Sequence, residues 1–209
     1  MRPITVHIVY IALMTAVVVS SNILVQYPLP GTLFGISLGD ILTYGAFTYP
    51  VAFLITDLTN RQYGTHAARR VVFAGFLAGI VISYLSSSPR IAIASGSAYL
   101  AGQLLDISVF NRLRRLSWWR APLTGSLIGS ALDTTIFFSL AFAPFFVLFG
   151  PNDPFALESA PIFGVFAAEA PRWMSWALGD LAVKILVGLV MLLPYGALMS
   201  LVRPVPELR

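Results

Sequence analysis

The sequence predicts an all-α integral membrane protein with six transmembrane helices, and three observations carry that prediction. Of 209 residues, 57% are hydrophobic and 11% charged, with a mean hydropathy of +0.82. That is more apolar surface than a water-soluble domain of this length can hide. Six apolar windows have the length of about 20 residues that a helix needs to cross a ~30 Å hydrocarbon core. The arginines fall in the short segments between those windows.

To within a few residues, the predicted spans are 5–27, 36–58, 71–87, 91–113, 121–149 and 173–202. The first follows Arg2 and is longer than the core of a cleaved signal peptide. Its Asn22 and Gln26 read as the outer end of a membrane span. The second carries Asp40 near its outer end and Asp57 near its inner end. Gly75 and Gly79 in the third, Gly125 and Gly129 in the fifth, and Ala12 and Ala16 in the first are pairs of small residues four apart, which let helices approach closely. Pro144 and Pro194, inside the long fifth and sixth spans, predict kinks or ends at the membrane interface. The whole chain, 1–209, is then a single six-helix domain.

Orientation follows from the arginines. With both termini cytoplasmic, the inner segments carry Arg2, then Arg61, Arg69 and Arg70, then Arg112, Arg114, Arg115 and Arg120, then Arg203 and Arg209. The outer face keeps Arg90 and Arg172. Ten against two is a strong positive-inside bias. Trp118, Trp119, Trp173 and Trp176 lie at predicted helix ends, where indoles anchor among lipid headgroups.

Several function classes drop out. There is no cysteine, so thiol, disulfide and iron–sulfur chemistry are excluded. There is no phosphate-binding loop and no H-E-x-x-H zinc motif. His7 and His66 lie far apart in the sequence, and neither is placed as a triad base. The net charge of +4 is spread over short loops and forms no basic domain face for nucleic acid. The chain is expected to be a non-enzyme with no cofactor and no metal. No internal repeat is visible.

The polar residues inside the spans are more informative. A charge at the bilayer centre costs roughly 2.5–3.5 kcal/mol on insertion scales, so it persists where a partner, a cavity or a ligand compensates. Ser95, Tyr99, Gln103 and Asp106 form one stripe on the fourth span. Ser126, Ser130, Asp133 and Phe137 do so on the fifth, and Trp173, Trp176, Asp180, Lys184 and Met191 on the sixth. Asp180 and Lys184 are one turn apart and can pair. By helical rise, Gln103, Asp133, Asp180 and Lys184 all converge about 10–18 Å from a membrane face. An outward-opening cavity floored by these four is the simplest arrangement. A purely structural reading, with Asp180 bridging Lys184 and Asp133 bonding a neighbouring helix, accounts for any one residue but makes the set an expensive way to pack helices.

Strings across the chain carry a family resemblance: SSNILVQYP at 20–28, TDLTNRQYG at 56–64 with ARR at 68–70, RIAIASGSAYLAGQLLDISVFNRLRR at 90–115, WWRAP at 118–122, GSALDTTIFF at 129–138 and GDLAVK at 179–184. These closely resemble the queuosine precursor transporter family, also called the vitamin uptake transporter family. The likeness is weakest over 150–172 and at the termini. It implies a six-helix carrier of the bacterial cytoplasmic (inner) membrane that takes up 7-cyano-7-deazaguanine or 7-aminomethyl-7-deazaguanine.

Such a base presents adjacent N–H donors and a carbonyl acceptor on one edge. A carboxylate from Asp133 or Asp180 accepts the donors, and Gln103, Asn22 or Lys184 donates to the carbonyl. Tyr49, Tyr99, Phe137 and Trp176 offer aromatic faces. Gln26 and Thr134 complete the expected substrate-binding set. Gating or structural roles are expected for Asp57, Arg61, Arg69, Arg70, Arg90, Asp106 and Asn111, with Asp57 and Asp106 tied to arginines at the inner face and Arg90 at the entrance.

The family layout also resembles the substrate-binding subunits of energy-coupling-factor importers. An importer subunit for another vitamin or base, served by an ATPase module, is therefore the alternative reading. A solitary carrier is preferred, either proton-coupled through Asp133 or Asp180 or a facilitator. The expected partners are the small-molecule base and the lipid bilayer, with a homo-oligomer left open.

Overall fold

The computed structural model describes residues 3–199, and side chains from Ile8 onward. Arg2, the His7 side chain, Arg203, Arg209 and the predicted end of the last span at Val202 lie outside the described set. Helices dominate: α1 (Pro3–Leu24), α2 (Gly45–Thr48), α3 (Val51–Ser86), α4 (Pro89–Leu113), α5 (Arg120–Phe142), α6 (Pro154–Leu157) and α7 (Arg172–Met199). Two small antiparallel hairpins join them, β1 (Thr32–Leu33) with β2 (Ile36–Ser37) and β3 (Ser159–Pro161) with β4 (Glu169–Pro171). Three helical stretches, Gly45–Ser86, Arg120–Phe142 and Arg172–Met199, are long and apolar enough to cross a membrane. Leu77, Leu85, Leu186 and Leu193, all more than half exposed, give the bundle an apolar outer belt suited to lipid. The chain is a multi-pass membrane protein.

The second predicted span differs from the observed chain. Residues 36–58 are not one helix, because the stretch before Gly45 folds as a hairpin and a short 3-10 turn (Leu38–Asp40). Phe34 (φ 50°) and Gly35 (φ 81°) at the hairpin tip both have positive φ, the condition for a tight two-residue turn. Hydropathy cannot distinguish apolar turns from apolar helix, and this segment's glycines and prolines decide the matter locally.

Helix then runs on past the predicted end at Leu58, and the expected loop at 59–70 is compressed into one residue. Gly64 has φ 79° and ψ 178° inside α3, a backbone region open essentially to glycine alone. The two arms fold back on each other there. Ala52 and Ile55 of the first arm share a buried cluster with Ala68, Val71 and Val72 of the second, together with Met14, Val18, Tyr99 and Ile107.

The other predicted spans fall on helices with similar bounds. The helix of the fourth span starts at Pro89, with the Ser88 side chain accepting from the Ile91 N–H at 3.3 Å, a cap followed by proline in the first turn. The fifth stops at Phe142, short of the predicted 149, because Ala143 before Pro144 is extended (ψ 135°) as a pre-proline residue prefers. Pro194 does not end the sixth, since α7 continues through it.

Close packing depends on small residues. A Cβ at Gly79 would stand 2.8 Å from Val18 Cγ1, and one at Gly75 would be 2.7 Å from Met14 Cγ, so α3 lies tight on α1. A Cβ at Gly102 would meet the Gly129 carbonyl at 3.0 Å and Asp133 Cβ at 3.1 Å, which brings α4 against α5. Ala12 and Ala16, by contrast, are exposed.

A Gly64→Ala variant should lose about 1–3 kcal/mol of stability, the cost of forcing a side chain into that backbone region. Its melting temperature in detergent should fall below wild type; identical melting would mean the reversal at residue 64 does not need glycine.

Candidate functional site

One ammonium organises the interior. Lys184 on α7 donates to Asp133 Oδ2 at 2.6 Å and Thr134 Oγ1 at 3.3 Å, both on α5, and pairs with Asp180 Oδ2 at 2.5 Å one turn back along α7. Three N–H donors thus meet three acceptors, the full capacity of a lysine. Thr134 in turn donates to Asp180 Oδ2 at 2.8 Å, and the Tyr49 hydroxyl donates to Asp133 Oδ1 at 2.8 Å. The ammonium also lies 5.1 Å from the Tyr49 ring centroid, close enough for cation–π attraction.

The two carboxylates are not equivalent. Both oxygens of Asp133 are engaged by protein donors, and its side chain is 4% exposed. Among the described residues Asp180 uses Oδ2 alone, and at 17% it is the most open of the three charged side chains. Asp180 Oδ1 is therefore the acceptor left for a ligand, and two carboxylates against one ammonium leave the group formally negative.

This cluster forms the deep wall of a cavity of about 160 Å³, whose other walls bring Asn22 and Gln26 from the end of α1, Tyr49 from the turn before α3, and Phe137 from α5. The size suits one small molecule rather than a peptide or lipid chain. Seven of the expected substrate residues line it: Asn22, Gln26, Tyr49, Phe137, Asp133, Asp180 and Lys184.

Four do not. Gln103 is fully buried behind it, its Oε1 accepting from Thr56 Oγ1 at 2.5 Å. Tyr99 is buried in the core, edge-on to Tyr49. Thr134 stands behind Asp180, and Trp176 packs on Phe142 and Phe155. Beside Ser95, already on the polar stripe of the fourth span, sequence reading missed a hydroxyl wall of Ser21, Thr43, Ser83, Ser86 and Ser87. The serine run 86–88 before Pro89 looks like a turn, and only the folding back at Gly64 reveals that it faces a cavity.

The residues expected to gate are scattered. Arg90, 3% exposed, is consumed by the loop after α5: it donates to the carbonyls of Leu140, Ala143, Gly150 and Pro151 and to Asn152 Oδ1, at 2.7–3.2 Å. It holds that loop against the start of α4. Arg69 and Arg70 are exposed, and Asn111 donates to Thr65 Oγ1 at 3.4 Å. Asp57 and Asp106 are not tied to arginines, since neither is within ion-pair distance of one among the described residues. They face each other instead.

A multi-pass bundle with a polar, charged cavity sunk between its helices defines the class: a membrane transport protein for a small molecule. Comparison with known proteins sharpens this. A family model described as "Putative vitamin uptake transporter" matches residues 43–87 and 82–198. The "Queuosine precursor transporter" of Escherichia coli strain K12 is 38% identical over 207 residues, covering 88% of this chain and 82% of that protein. The "Probable queuosine precursor transporter" of Haemophilus influenzae is 33% identical, covering 89% of this chain and 83% of its own. No solved structure matches. The chain belongs to the vitamin uptake transporter family, and these relatives are named as transporters.

Replacing Lys184 with Met should destabilise the protein by about 3–5 kcal/mol, because two buried carboxylates lose their counter-charge. Asp180→Asn leaves the Lys184–Asp133 bridge intact and should cost far less. Thermal unfolding of the two variants in detergent checks the order; equal, small losses would mean the ammonium does not hold the site together.

Proposed function

We propose that this protein carries queuosine precursors, 7-cyano-7-deazaguanine or 7-aminomethyl-7-deazaguanine, across the bacterial cytoplasmic membrane. The observation that carries the reading is the free Oδ1 of Asp180 beside Lys184 in a base-sized cavity. The names of the full-length relatives add independent support.

In this reading the chain is one domain that crosses the membrane six times, with α3 supplying two crossings and both termini in the cytoplasm. The arginine distribution supports that orientation, in which the cavity mouth, at the ends of α1 and α3 and the start of α4, opens to the outer side. The protein works as a carrier in its own right.

The base enters flat, with its ring against Tyr49 and Phe137. Its two adjacent N–H donors bond Asp180, one of them to Oδ1. Its carbonyl takes a hydrogen bond from the carboxamide of Asn22 or Gln26, since the Lys184 donors are already committed. The substituent on the five-membered ring points toward the serine wall, whose hydroxyls can donate to a nitrile or accept from an ammonium. Asp133 keeps Lys184 and Tyr49 in place and acts on the ligand through them.

The test is growth of cells that cannot make the precursor but retain the later steps. Expression of this protein with external base should restore queuosine in tRNA; unchanged tRNA at good expression would refute the reading. In purified protein, deazaguanines should raise the melting temperature where guanosine and unrelated vitamins do not. Asp180→Asn should weaken that binding by about tenfold or more, the worth of a charge-assisted hydrogen bond.

A further inference from the structure

A second cluster of ionisable groups lies beyond the cavity floor, toward the chain reversal at Gly64. Asp57 on the first arm of α3 and Asp106 on α4 are 2% and 0% exposed, and they neighbour each other on turns that the Thr56–Gln103 and Asn60–Ile107 hydrogen bonds join at 2.5 and 3.4 Å. The surrounding groups are few. Arg61, one turn further on α3, reaches Tyr195 of α7, which also stands near both carboxyls. From α5 the neighbour is Gly125, whose missing side chain makes room for the Asp106 carboxyl. From α1, Tyr10 packs against the cluster of Leu58, Phe110, Ala121 and Tyr195 and is bonded to Gln62 at 2.9 Å.

This cluster is short of hydrogen. Asp57 Oδ1 and both Asp106 oxygens are buried and have no donor among the described residues. Asn60, fully buried and one turn from Asp57, independently repeats the deficit: its Nδ2 bonds the Ile107 carbonyl at 3.4 Å beside Asp106, and its Oδ1 has no donor either. Two ionised carboxylates cannot stand in contact away from water, whereas one proton between them makes a hydrogen bond and halves the charge. With that proton in place, the pair carries one negative charge instead of two.

We propose that Asp57 and Asp106 are a proton-binding pair that holds one shared proton in the closed protein and exchanges it with bulk water at the Arg61 end of the bundle. The pair, and not the Lys184-locked Asp133 and Asp180, then couples solute movement to proton movement. Proton loss leaves two bare carboxylates and is tolerated only when water reaches them, that is, when this end of the bundle opens.

The link to the cavity is the α4–α5 contact. Gly102 packs on Asp133 at one point along it, and Asp106 packs on Gly125 about one turn away. A shift of α4 on α5 disturbs both sites together. Between them lie Tyr99, whose hydroxyl has no partner among the described residues, and the Thr56–Gln103 hydrogen bond, polar groups that can close or open a path between cavity and pair.

Coupling rests on the transport reading above, but proton binding does not, so two measurements separate them. In ligand-free protein at neutral pH, infrared spectra should contain the carbonyl absorption of a protonated carboxyl that the double variant Asp57→Asn/Asp106→Asn lacks. Absence of the band from wild type, or its persistence in the double variant, overturns the pair. In proteoliposomes, an inward proton gradient should drive wild type to accumulate radiolabelled 7-cyano-7-deazaguanine several-fold, with Asp40→Asn, an exposed site, behaving the same. The double variant should keep ligand-induced thermal stabilisation while its accumulation ratio falls to one. Accumulation that ignores pH, follows a sodium gradient instead, or survives in the double variant overturns the coupling. Failure of any deazaguanine to stabilise wild type would instead sink the transport reading and leave the infrared result standing.

Discussion

Everything in the polar interior depends on one ammonium held in an apolar bundle. Desolvating a lysine is costly, and it is sustained here because each of its protons meets an oxygen and because two carboxylates flank it. Two of those three contacts, to Asp133 and Thr134, tie α7 to α5. Lys184 and the Tyr49 hydroxyl together fix Asp133 by both oxygens, whereas Asp180 keeps Oδ1 without a donor among the described residues. The structural bridge is therefore also part of the cavity wall, and it determines which carboxylate faces the cavity and in what orientation.

Backbone geometry brings the remaining walls to that bridge. The reversal at Gly64 returns the second arm of α3 to the level at which the first began, so hydroxyls near Ser86 face Tyr49 and Asn22 across one cavity. Glycines let α1, α3, α4 and α5 come close enough to leave a small, defined space. Arg90 fixes the loop after α5 by its carbonyls, and an arginine spent in this way is a brace for the entrance region rather than a mobile guard.

Much of this was legible in the sequence. The stripe spacing on the fifth and sixth spans placed Asp133, Asp180 and Lys184 together because a helix fixes which side chains share a face, and the i, i+4 pair on α7 is the pair observed. Gln103 sat on an equally good stripe yet lies behind the cavity wall, since periodicity gives a face but not which neighbour covers it. Asp57 and Asp106 were expected beside arginines because both lie near basic loops. Sequence proximity could not show that their side chains turn inward, toward each other. The serine wall and the hairpin before Gly45 depend on irregular backbone, where hydropathy carries little information.

The central claim is that the Asp180 carboxylate reads the donor edge of a deazaguanine. The direct measurement is calorimetric titration of the wild-type protein with 7-cyano-7-deazaguanine and with the same ring lacking its exocyclic amino group. Loss of one hydrogen bond to a charged acceptor, worth about 1.5–3 kcal/mol, should weaken binding by about tenfold or more. Equal affinity for the two would contradict the account.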